Sequence, residues 1–468
     1  MTDKTFASTA IAGAAALLLA GCSLIPTYER PAAPVPAVYP NAQPAINAPS
    51  PASTLAWQDF FTDPRLANLI DTALANNRDL RVAVLNIEQA RAQFQIERSA
   101  QFPVLGASAS GTRQRPSLFG PGVSESYSVG LGVTAWEIDF FGRVASLKES
   151  ALAQFLATEE SRKATQISLM AAVANGWLTL LADDELLEIT RQTLATRDES
   201  LKLTRMRFEA GVASEIDSRL AESLAETARA SYAEQQRRRM QDENALALLV
   251  GAPVPADATE GGARGLNAIA PMPALPAGLP SDLLGERPDI RAAEQQLMAA
   301  NADIGAARAA FFPRVSLTSS IGTASNEFSG LFARGSKAWS FAPQITLPIF
   351  DAGRNQAGLD LARAGRGVAV AQYEKSIQSA FREVADALAG RATLGEQLRA
   401  LRAQSEAEAV RFRLSDLRYR NGIASALDLL DAQRSLYGTQ QAAVQVRLLQ
   451  LQNQVLLYKA LGGGWSTR

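Results

Sequence analysis

The sequence contains two copies of one structural unit, and this duplication limits what the chain can fold into. Asn77-Arg-Asp-Leu-Arg81 corresponds to Arg287-Pro-Asp-Ile-Arg291, and further motifs along the chain match at a nearly constant offset. Repetition at a fixed spacing is the signature of a duplicated supersecondary unit. We therefore define repeat 1 as residues 64–251 and repeat 2 as residues 285–462.

Four segments lie outside the repeats. We predict that residues 1–21 are a signal peptide and that residues 22–63 form a proline-rich N-terminal segment of the mature chain. Residues 252–284 are a second proline-rich stretch, which we interpret as a linker, and residues 463–468 are a C-terminal tail. The repeats are therefore expected to carry most of the regular structure.

The amino-acid composition excludes several classes of function. The chain has 468 residues, no histidine, one cysteine and a net charge of −1. Without histidine, the commonest general base and most zinc sites are missing. A balanced net charge argues against nucleic-acid binding, which needs a clustered basic face. We therefore expect a protein that is not an enzyme, with no catalytic residue, no metal site and no cofactor apart from covalent lipid.

The N-terminus has the features of a bacterial lipoprotein. Lys4 precedes an apolar stretch, Ile11–Ala20, that is too short for a transmembrane helix. It ends at Leu19-Ala-Gly-Cys22, which resembles a lipobox and holds the single cysteine of the chain. We predict that Cys22 carries a diacylglycerol and an N-acyl chain, which would anchor the chain in outer-membrane lipid. The alternative is an ordinary signal peptide with a chance cysteine.

Each repeat contains one predicted β-hairpin, at residues 103–137 and 313–349. In the first hairpin, apolar residues alternate with serine, glycine and threonine. The apolar positions are Tyr127, Val129, Leu131, Val133 and Ala135. This alternation is typical of a membrane barrel with a polar lumen. The alternative is an antiparallel sheet in a soluble protein, which alternates in the same way.

Two hairpins supply four strands, which are too few to close a barrel by themselves. The smallest membrane barrels have about eight strands, and open sheet edges are not tolerated in lipid. Other copies of the chain must therefore complete the barrel. Two copies would give eight strands, whose interior side chains fill, whereas three copies would give twelve and leave an open pore. This reasoning predicts a homotrimer.

A very long helix follows each hairpin. Residues 145–209 contain no proline, and apolar residues recur every seventh position, which is typical of coiled-coil packing. The heptad positions are Val173, Leu180, Leu187, Leu194, Leu201 and Phe208. Residues 355–420 form the equivalent helix of repeat 2, and returning helices are predicted at 214–249 and 425–460. A shorter helix is predicted over about 64–101 in repeat 1.

The turn between each long helix and its returning helix has a distinctive pattern. Gly211 and Gly422 lie where a helix C-terminus requires a left-handed residue. Ser214 and Ser425 follow as helix N-caps, each with an aspartate three residues later. We therefore predict two helical hairpins with compact tips.

At this point the motifs resemble a known family, the TolC-like outer-membrane factors. The resemblance rests on the lipobox, on Phe-Gly-Arg at 141–143, on 348–354 and above all on 418–435. It implies a mixed α and β membrane protein, with four strands per chain in a trimeric twelve-stranded transmembrane β-barrel. That barrel would continue as a long α-helical coiled-coil barrel through the periplasm. The two proline-rich segments would form an equatorial domain.

The resemblance also implies a function and its partners. Such proteins are exit ducts of tripartite efflux pumps, here of the resistance-nodulation-division (RND) type. They conduct substrates passively from the periplasm to the exterior, and they dock with a periplasmic adaptor protein and an inner-membrane RND transporter. The alternative from the helices alone is a periplasmic coiled-coil scaffold lipoprotein without a channel.

The same resemblance assigns residues to the periplasmic entrance. Asp428 and Asp431 take the positions of an acidic ring, Leu427 lies at the constriction, and Tyr419 matches a tip tyrosine. Asp217 is the equivalent acid in repeat 1. In a trimer, repulsion among these carboxylates is expected to raise some of their pKa values and to attract cations. Helix capping is the alternative role for Asp217 and Asp428.

Overall fold

The structure is a computed structural model, and it describes most of the chain. The described residues are 23–40, 54–115, 122–255, 265–269, 272–276, 278 and 280–465. The predicted signal peptide, 1–21, and Cys22 lie outside them. By internal contacts the chain forms two compact units. The sheet unit takes its described residues from Met1–Ala32, Leu85–Glu159 and Arg291–Lys375, and the helical unit takes them from Ala33–Val84, Glu160–Ile290 and Ser376–Arg468. Each unit therefore combines parts of both repeats.

The sheet unit contains one four-stranded antiparallel sheet. Its strands are β1 (Leu105–Gln114), β2 (Ser124–Ile138), β3 (Arg314–Ser325) and β4 (Lys337–Thr346), paired in that order. β1 and β4 are therefore the two edges, and every residue of both strands is exposed. The structure thus has both predicted hairpins, and β2 pairs with β3 to join the two repeats into one sheet.

The strand register separates an apolar face from a polar face. Leu131 lies opposite Ile321, which lies opposite Trp339, so large apolar side chains line up across three strands. On the other face serine hydroxyls face each other in hydrogen-bond contact, at 2.8 Å between Ser110 and Ser128. The sequence alternation therefore corresponds to two chemically distinct faces.

A β-bulge changes the predicted alternation in β2. The predicted position of Ala135 on the apolar face is wrong. The register shifts between Val133 and Trp136, and Ala135 has a positive φ of 49°. One extra residue at a bulge moves the following side chains to the opposite face. Trp136 therefore takes the apolar position, opposite Leu317.

The same bulge positions an ion-pair cluster at the strand ends next to the helices. Glu137 lies opposite Ser316 and thus on the polar face of the sheet. Its carboxylate pairs with Arg143, at 2.7 Å, and with Arg314, at 2.9 Å. These two pairs link the end of β2 to the start of β3 and to the first turn of the following helix.

The described residues form nine helices, and two of them are exceptionally long. In chain order they are α1 (Trp57–Phe60), α2 (Pro64–Asn76), α3 (Arg78–Ser99), α4 (Arg143–Glu209), α5 (Glu215–Val250), α6 (Leu283–Glu286), α7 (Pro288–Ala309), α8 (Arg354–Arg420) and α9 (Ala426–Ala460). Short 3₁₀ turns occupy Leu266–Ala268 and Phe328–Gly330. α4 and α8 have 67 residues each, so each spans roughly 100 Å at 1.5 Å per residue.

The single helix predicted over 64–101 is two helices. Asn77 interrupts it with an extended backbone, at ψ 131°. Its side-chain amide donates a hydrogen bond to the Leu249 carbonyl, and its side-chain oxygen accepts one from the Leu80 amide. Asn77 therefore ends α2, starts α3 and ties both to α5.

The core of the helical unit lies around the middle of α4. Val173, Trp177 and Leu180 are fully buried, as are many side chains of α8 and α9. One stretch of α4 is long and apolar enough to cross a membrane, but 61% of it is buried inside the protein, which is typical of a core helix. Further along the heptad the burial decreases, and Phe208 is 42% exposed.

Buried polar residues replace the apolar core toward the C-terminal end of α4. Thr190, Arg197 and Thr204 are all buried, and they lie one heptad apart. The helical unit therefore has an apolar seam near the middle of α4 and a polar seam toward the end of that helix.

A buried carboxyl group, Asp183, lies between α4 and α5 beside the half-buried Asp242. Asp183 is 6% exposed, and Gln235 donates a hydrogen bond to its Oδ1 at 2.9 Å. Burial raises the pKa of Asp183 to about 7, and the neighbouring Asp242 carboxyl adds to the increase. The native state therefore holds a proton near Asp183 that an unfolded chain would release near pH 4.

We expect Asp183 to make stability fall with rising pH. Between about pH 4 and pH 7 the native state binds more protons than the unfolded state, so the free energy of unfolding decreases across this window and stays reduced above it. Asp183→Asn should flatten this decrease and stabilise the protein at pH 8. Thermal unfolding at several pH values measures it, with Glu199→Gln, an exposed acid of α4, as the control. Identical pH profiles for both variants would contradict the assignment.

Close contact between β2 and β3 depends on glycine. A Cβ on Gly322 would lie 2.2 Å from the Val129 carbonyl oxygen, whereas one on Gly106 of β1 would meet nothing within 4 Å. We therefore expect Gly322→Ala to lower the thermal stability of the sheet and the yield of folded protein, because the two strands must separate. Gly106→Ala should have little effect. A Gly322→Ala protein as stable as Gly106→Ala would show that the sheet adapts.

Candidate functional site

The tips of the two helical hairpins have nearly identical backbones. Gly211 and Gly422 have φ values of 72° and 73°, in the left-handed region that favours glycine. After each glycine a backbone amide returns to the last helical turn, from Val212 to the Arg207 carbonyl and from Ile423 to the Arg418 carbonyl, both at 2.9 Å. The chain therefore reverses direction within a few residues at each tip.

The serines after the glycines begin the returning helices. Ser214 and Asp217 form a reciprocal capping box at the start of α5, and Ser425 and Asp428 form the equivalent one at the start of α9. In each box the serine hydroxyl also donates to the aspartate Oδ2, at 2.7 Å and 2.9 Å. Asp217 and Asp428 therefore both act as helix caps, and within the described residues the Oδ1 of each accepts no hydrogen bond.

Asp431 has two arginine partners within its own chain. Its carboxylate accepts hydrogen bonds from Arg411 at 2.5 Å and from Arg434 at 2.6 Å. These guanidinium groups, Arg411 first, lower the pKa of Asp431. The direction is opposite to the increase expected from a ring of like charges, because the arginines neutralise the carboxylate locally. Of the two predicted ring acids, Asp428 has no arginine partner among the residues that the structure describes.

Large apolar side chains are exposed around the tips. Leu427, predicted at the constriction, is 65% exposed, and Ile423 is 69% exposed. Val212 and Ile216 are exposed at the tip of the first hairpin. Exposed apolar side chains in one region commonly mark contacts with other chains.

Tyr419 is the predicted tip residue that the structure buries. It is 4% exposed and packs with Ala426 and Leu429, against Leu203 and Phe412. Its ring therefore lies inside the subunit, away from the exposed Leu427 and Asp428.

Tyr419 also connects the two hairpins. Its hydroxyl lies 3.1 Å from the Thr204 hydroxyl, and the Arg207 guanidinium lies over its ring at 4.5 Å. Arg207 further donates to the carbonyls of Tyr419 and Arg420, which end α8. We call Thr204, Arg207 and Tyr419 the tip latch, because they join the end of α4 to the end of α8.

Two more hydrogen bonds continue this connection away from the tips. Ser200 accepts one from Gln433 at 3.0 Å, and the hydroxyls of Thr190 and Tyr437 are 3.1 Å apart. The contact between the hairpins is therefore largely polar along this part of the unit.

The sequence pattern did not indicate which arginines contact Asp431 and Tyr419. The spacing of Asp431 and Arg434 within one helix could have indicated their ion pair. Arg207 and Arg411 reach their partners from other helices, and no sequence pattern in one chain indicates this.

The tip geometry and the sheet can be compared with known proteins. The family model described as outer membrane efflux protein matches residues 69–252 and 279–463. These two ranges nearly coincide with the two repeats. The chain belongs to the outer membrane efflux protein family.

Relatives and solved structures of this family match nearly the full length of the chain. This outer membrane efflux protein is 49% identical to the toluene efflux pump outer membrane protein TtgC of Pseudomonas putida, over 96% of this chain and 94% of TtgC. It is 47% identical to outer membrane protein OprJ of Pseudomonas aeruginosa, with the same coverage. The open-state MtrE outer membrane channel of Neisseria gonorrhoeae matches with a TM-score of 0.85 and 44% identity, over 95% of this chain and 99% of MtrE.

The predicted family, fold class and function are confirmed. This outer membrane efflux protein has the mixed α and β fold of the trimeric outer membrane channels, with four strands and long helices in each chain. It is the outer-membrane exit duct of an efflux pump. Its role is transport. Within the described residues, no group of three or more acidic or cysteine side chains could hold a metal ion.

We expect the tip latch to restrain the channel entrance. Arg207→Ala removes the ring contact and both bonds to the α8 carbonyls, so it should increase single-channel conductance or open probability. Arg205→Ala is the matched control, because Arg205 is close in sequence and pairs with Glu222 inside the first hairpin. Recordings in planar bilayers measure the effect. Equal conductance of the two variants would show that the latch does not restrain opening.

Proposed function

We propose that three copies of this outer membrane efflux protein form a passive duct whose periplasmic entrance is gated at the hairpin tips. The observation that carries this proposal is the open four-stranded sheet. Its apolar face and both edge strands are exposed in the single chain. In lipid each unpaired backbone group costs several kcal/mol, so β1 and β4 need partners.

The two edge strands are well matched to each other. β1 and β4 each contain ten residues, and they run in opposite directions relative to the helices. β1 of one copy can therefore pair in antiparallel fashion with β4 of the next copy. Three copies give a closed twelve-stranded barrel, with serine and glycine toward the lumen and apolar residues toward lipid.

The exposed sheet face also argues against the scaffold alternative. Trp339, Phe341 and Ile345 of β4 are each more than 60% exposed and share one face. Large apolar side chains on that scale need hydrocarbon or another protein around them. A periplasmic scaffold would leave these apolar side chains exposed to water.

The N-terminal segment supports lipid anchoring at Cys22. In the sheet unit, the segment from Leu24 to Arg30 lies along α7. Arg308 donates to the Leu24 carbonyl and Asn301 to the Pro26 carbonyl. Arg30 pairs with Glu294 at 2.7 Å. This path runs toward the end of α7 that precedes β3, so acyl chains on Cys22 would enter the periplasmic side of the membrane.

The entrance of the duct is formed by the hairpin tips. Three copies of Asp428 would surround the axis, with Leu427 beside them. Asp431, held by Arg411 and Arg434, contributes less free charge. The exposed apolar tip residues are suited to contact with a periplasmic adaptor, which links the duct to an inner-membrane RND transporter. The duct performs no chemistry, and the pump supplies the energy.

We expect multivalent cations on the periplasmic side to block the current. Because the Asp428 carboxylates face one axis, they should attract such ions. The double variant Asp428→Ala/Asp431→Ala should lose most of this block, whereas Glu215→Ala, an exposed acid at the other tip, should keep it. Heat-resistant trimers and bilayer currents measured on the same preparations test the duct itself.

The outcomes of these measurements distinguish failure of the trimeric duct from failure of the acidic ring. Monomers that never conduct would overturn the trimeric duct. Conducting trimers in which the double variant is blocked as strongly as the natural protein would overturn only the acidic ring.

A further inference from the structure

The sheet end that is distant from the helices carries an excess of basic side chains. The two strand connections, residues 113–125 and 325–337, contain four basic and two acidic residues. The basic residues are Arg113, Arg115, Arg334 and Lys337, and the acidic residues are Glu125 and Glu327. The opposite ends of the strands lead into the helices, so this end is the exterior rim of the proposed duct.

Two of these basic residues lie on the lipid-facing side of the sheet. Lys337 pairs with Thr323, and Thr323 pairs with Val129 of the apolar face. Arg113 pairs with Glu125, two residues before Tyr127 on the same face. Because strand partners share a face, Lys337 and Arg113 point away from the lumen.

Most of these cations have no counter-ion among the residues that the structure describes. Arg113 forms an ion pair with Glu125 at 2.9 Å. Within the described residues, no ion pair or hydrogen bond is made by the side chains of Arg115, Arg334 or Lys337, and all three residues are exposed. Three unpaired cations are thus left at one rim of the sheet.

Assembly would bring these cations together. The unpaired cations lie at the two free edges, with Arg115 directly after β1 and Lys337 at the start of β4. If β1 of one copy pairs with β4 of the next, this pairing would bring Arg113 and Arg115 near Lys337 and Arg334 across the seam. Like charges on neighbouring strands destabilise pairing unless an anion lies between them.

A lysine on an edge strand has a common structural explanation. Edge lysines prevent open sheets from aggregating. In a closed barrel β4 has no free edge, so this explanation does not apply to Lys337 in the assembled duct. The basic rim therefore needs a different partner.

Aromatic side chains identify the environment of the rim. Trp339 follows Lys337 on the same face and is 79% exposed, and Phe328 and Phe332 of the β3–β4 connection are also exposed. Aromatic rings next to basic residues are typical of the membrane–water interface, where lysine and arginine reach headgroup phosphates.

We propose that each subunit seam binds a phosphate-bearing lipid headgroup of the outer leaflet, through Arg115 and Lys337. Arg334 adds a third positive charge, and Trp339 contacts the acyl region below. Arginine binds phosphate with paired N–H donors, and lysine acts as a point charge beside it. The bound headgroup neutralises the seam and so stabilises the trimer. This inference rests on the proposed trimeric barrel.

The experiment compares two lipids on the intact trimer. Purified trimers are titrated with diphosphorylated lipid A and with the same lipid after removal of its phosphates, and native mass spectrometry counts the bound lipids. The natural protein should bind the phosphorylated lipid and retain little of the other. Arg115→Gln/Lys337→Gln should bind roughly 30-fold more weakly, from the usual contribution of a basic residue near an anionic lipid surface. Lys202→Gln/Arg237→Gln removes two exposed charges from α4 and α5 and should bind as the natural protein does.

The results that would overturn the proposal are distinct from failure of the duct. Equal binding of both lipids, or undiminished binding by Arg115→Gln/Lys337→Gln, would exclude the headgroup site. Displacement of the lipid by an equal concentration of inorganic pyrophosphate would show that a free anion occupies the seam instead. Each of these results is read on variants that still form conducting trimers. Absence of trimers in the natural protein would overturn the duct itself.

Discussion

The structure depends on the hydrogen-bonding needs of backbone groups in hydrocarbon. A chain with four strands leaves two edges, and lipid offers no donor or acceptor to pair with them. Assembly with other copies is therefore a requirement of the sheet. The same requirement explains why β1 and β4 have equal length and why the two repeats contribute one hairpin each. In this outer membrane efflux protein, the same contacts between subunits pair the edge strands and close the pore.

Much of the fold is visible in the sequence because it is periodic. Strand alternation, the seven-residue repeat in α4 and the Gly–Ser–Asp pattern of the tips each depend on a few adjacent residues. The failures occur where a single residue changes the period. Asn77 interrupts a helical pattern without being glycine or proline, because its side-chain amide bonds both to Leu249 in α5 and to Leu80 in α3. The bulge at Ala135 has no glycine that would indicate it.

The candidate site was predictable only in part, for a related reason. Asp217 and Asp428 are visible as caps because a capping box is local. The environment of Asp431 and the burial of Tyr419 depend on Arg411 and Arg207, which arrive from distant positions of other helices. Long-range contacts of this kind decide whether a carboxylate is neutralised and whether a tyrosine is exposed. The local charge at Asp431 and the burial of Tyr419 could therefore be obtained only from the structure.

The change from an apolar to a polar seam along α4 has a mechanical consequence. Separating Val173, Trp177 and Leu180 from their neighbours would expose apolar surface to water, at about 25 cal/mol for each Å². Separating Thr190, Ser200 and Thr204 from Tyr437, Gln433 and Tyr419 exchanges hydrogen bonds with water, and the net cost of each is only about 1 kcal/mol. The two hairpins can thus separate first at the tip latch. They would pivot where the apolar seam of α4 begins. The width of the entrance is therefore set by how far water enters the polar seam. The apolar core does not need to unpack.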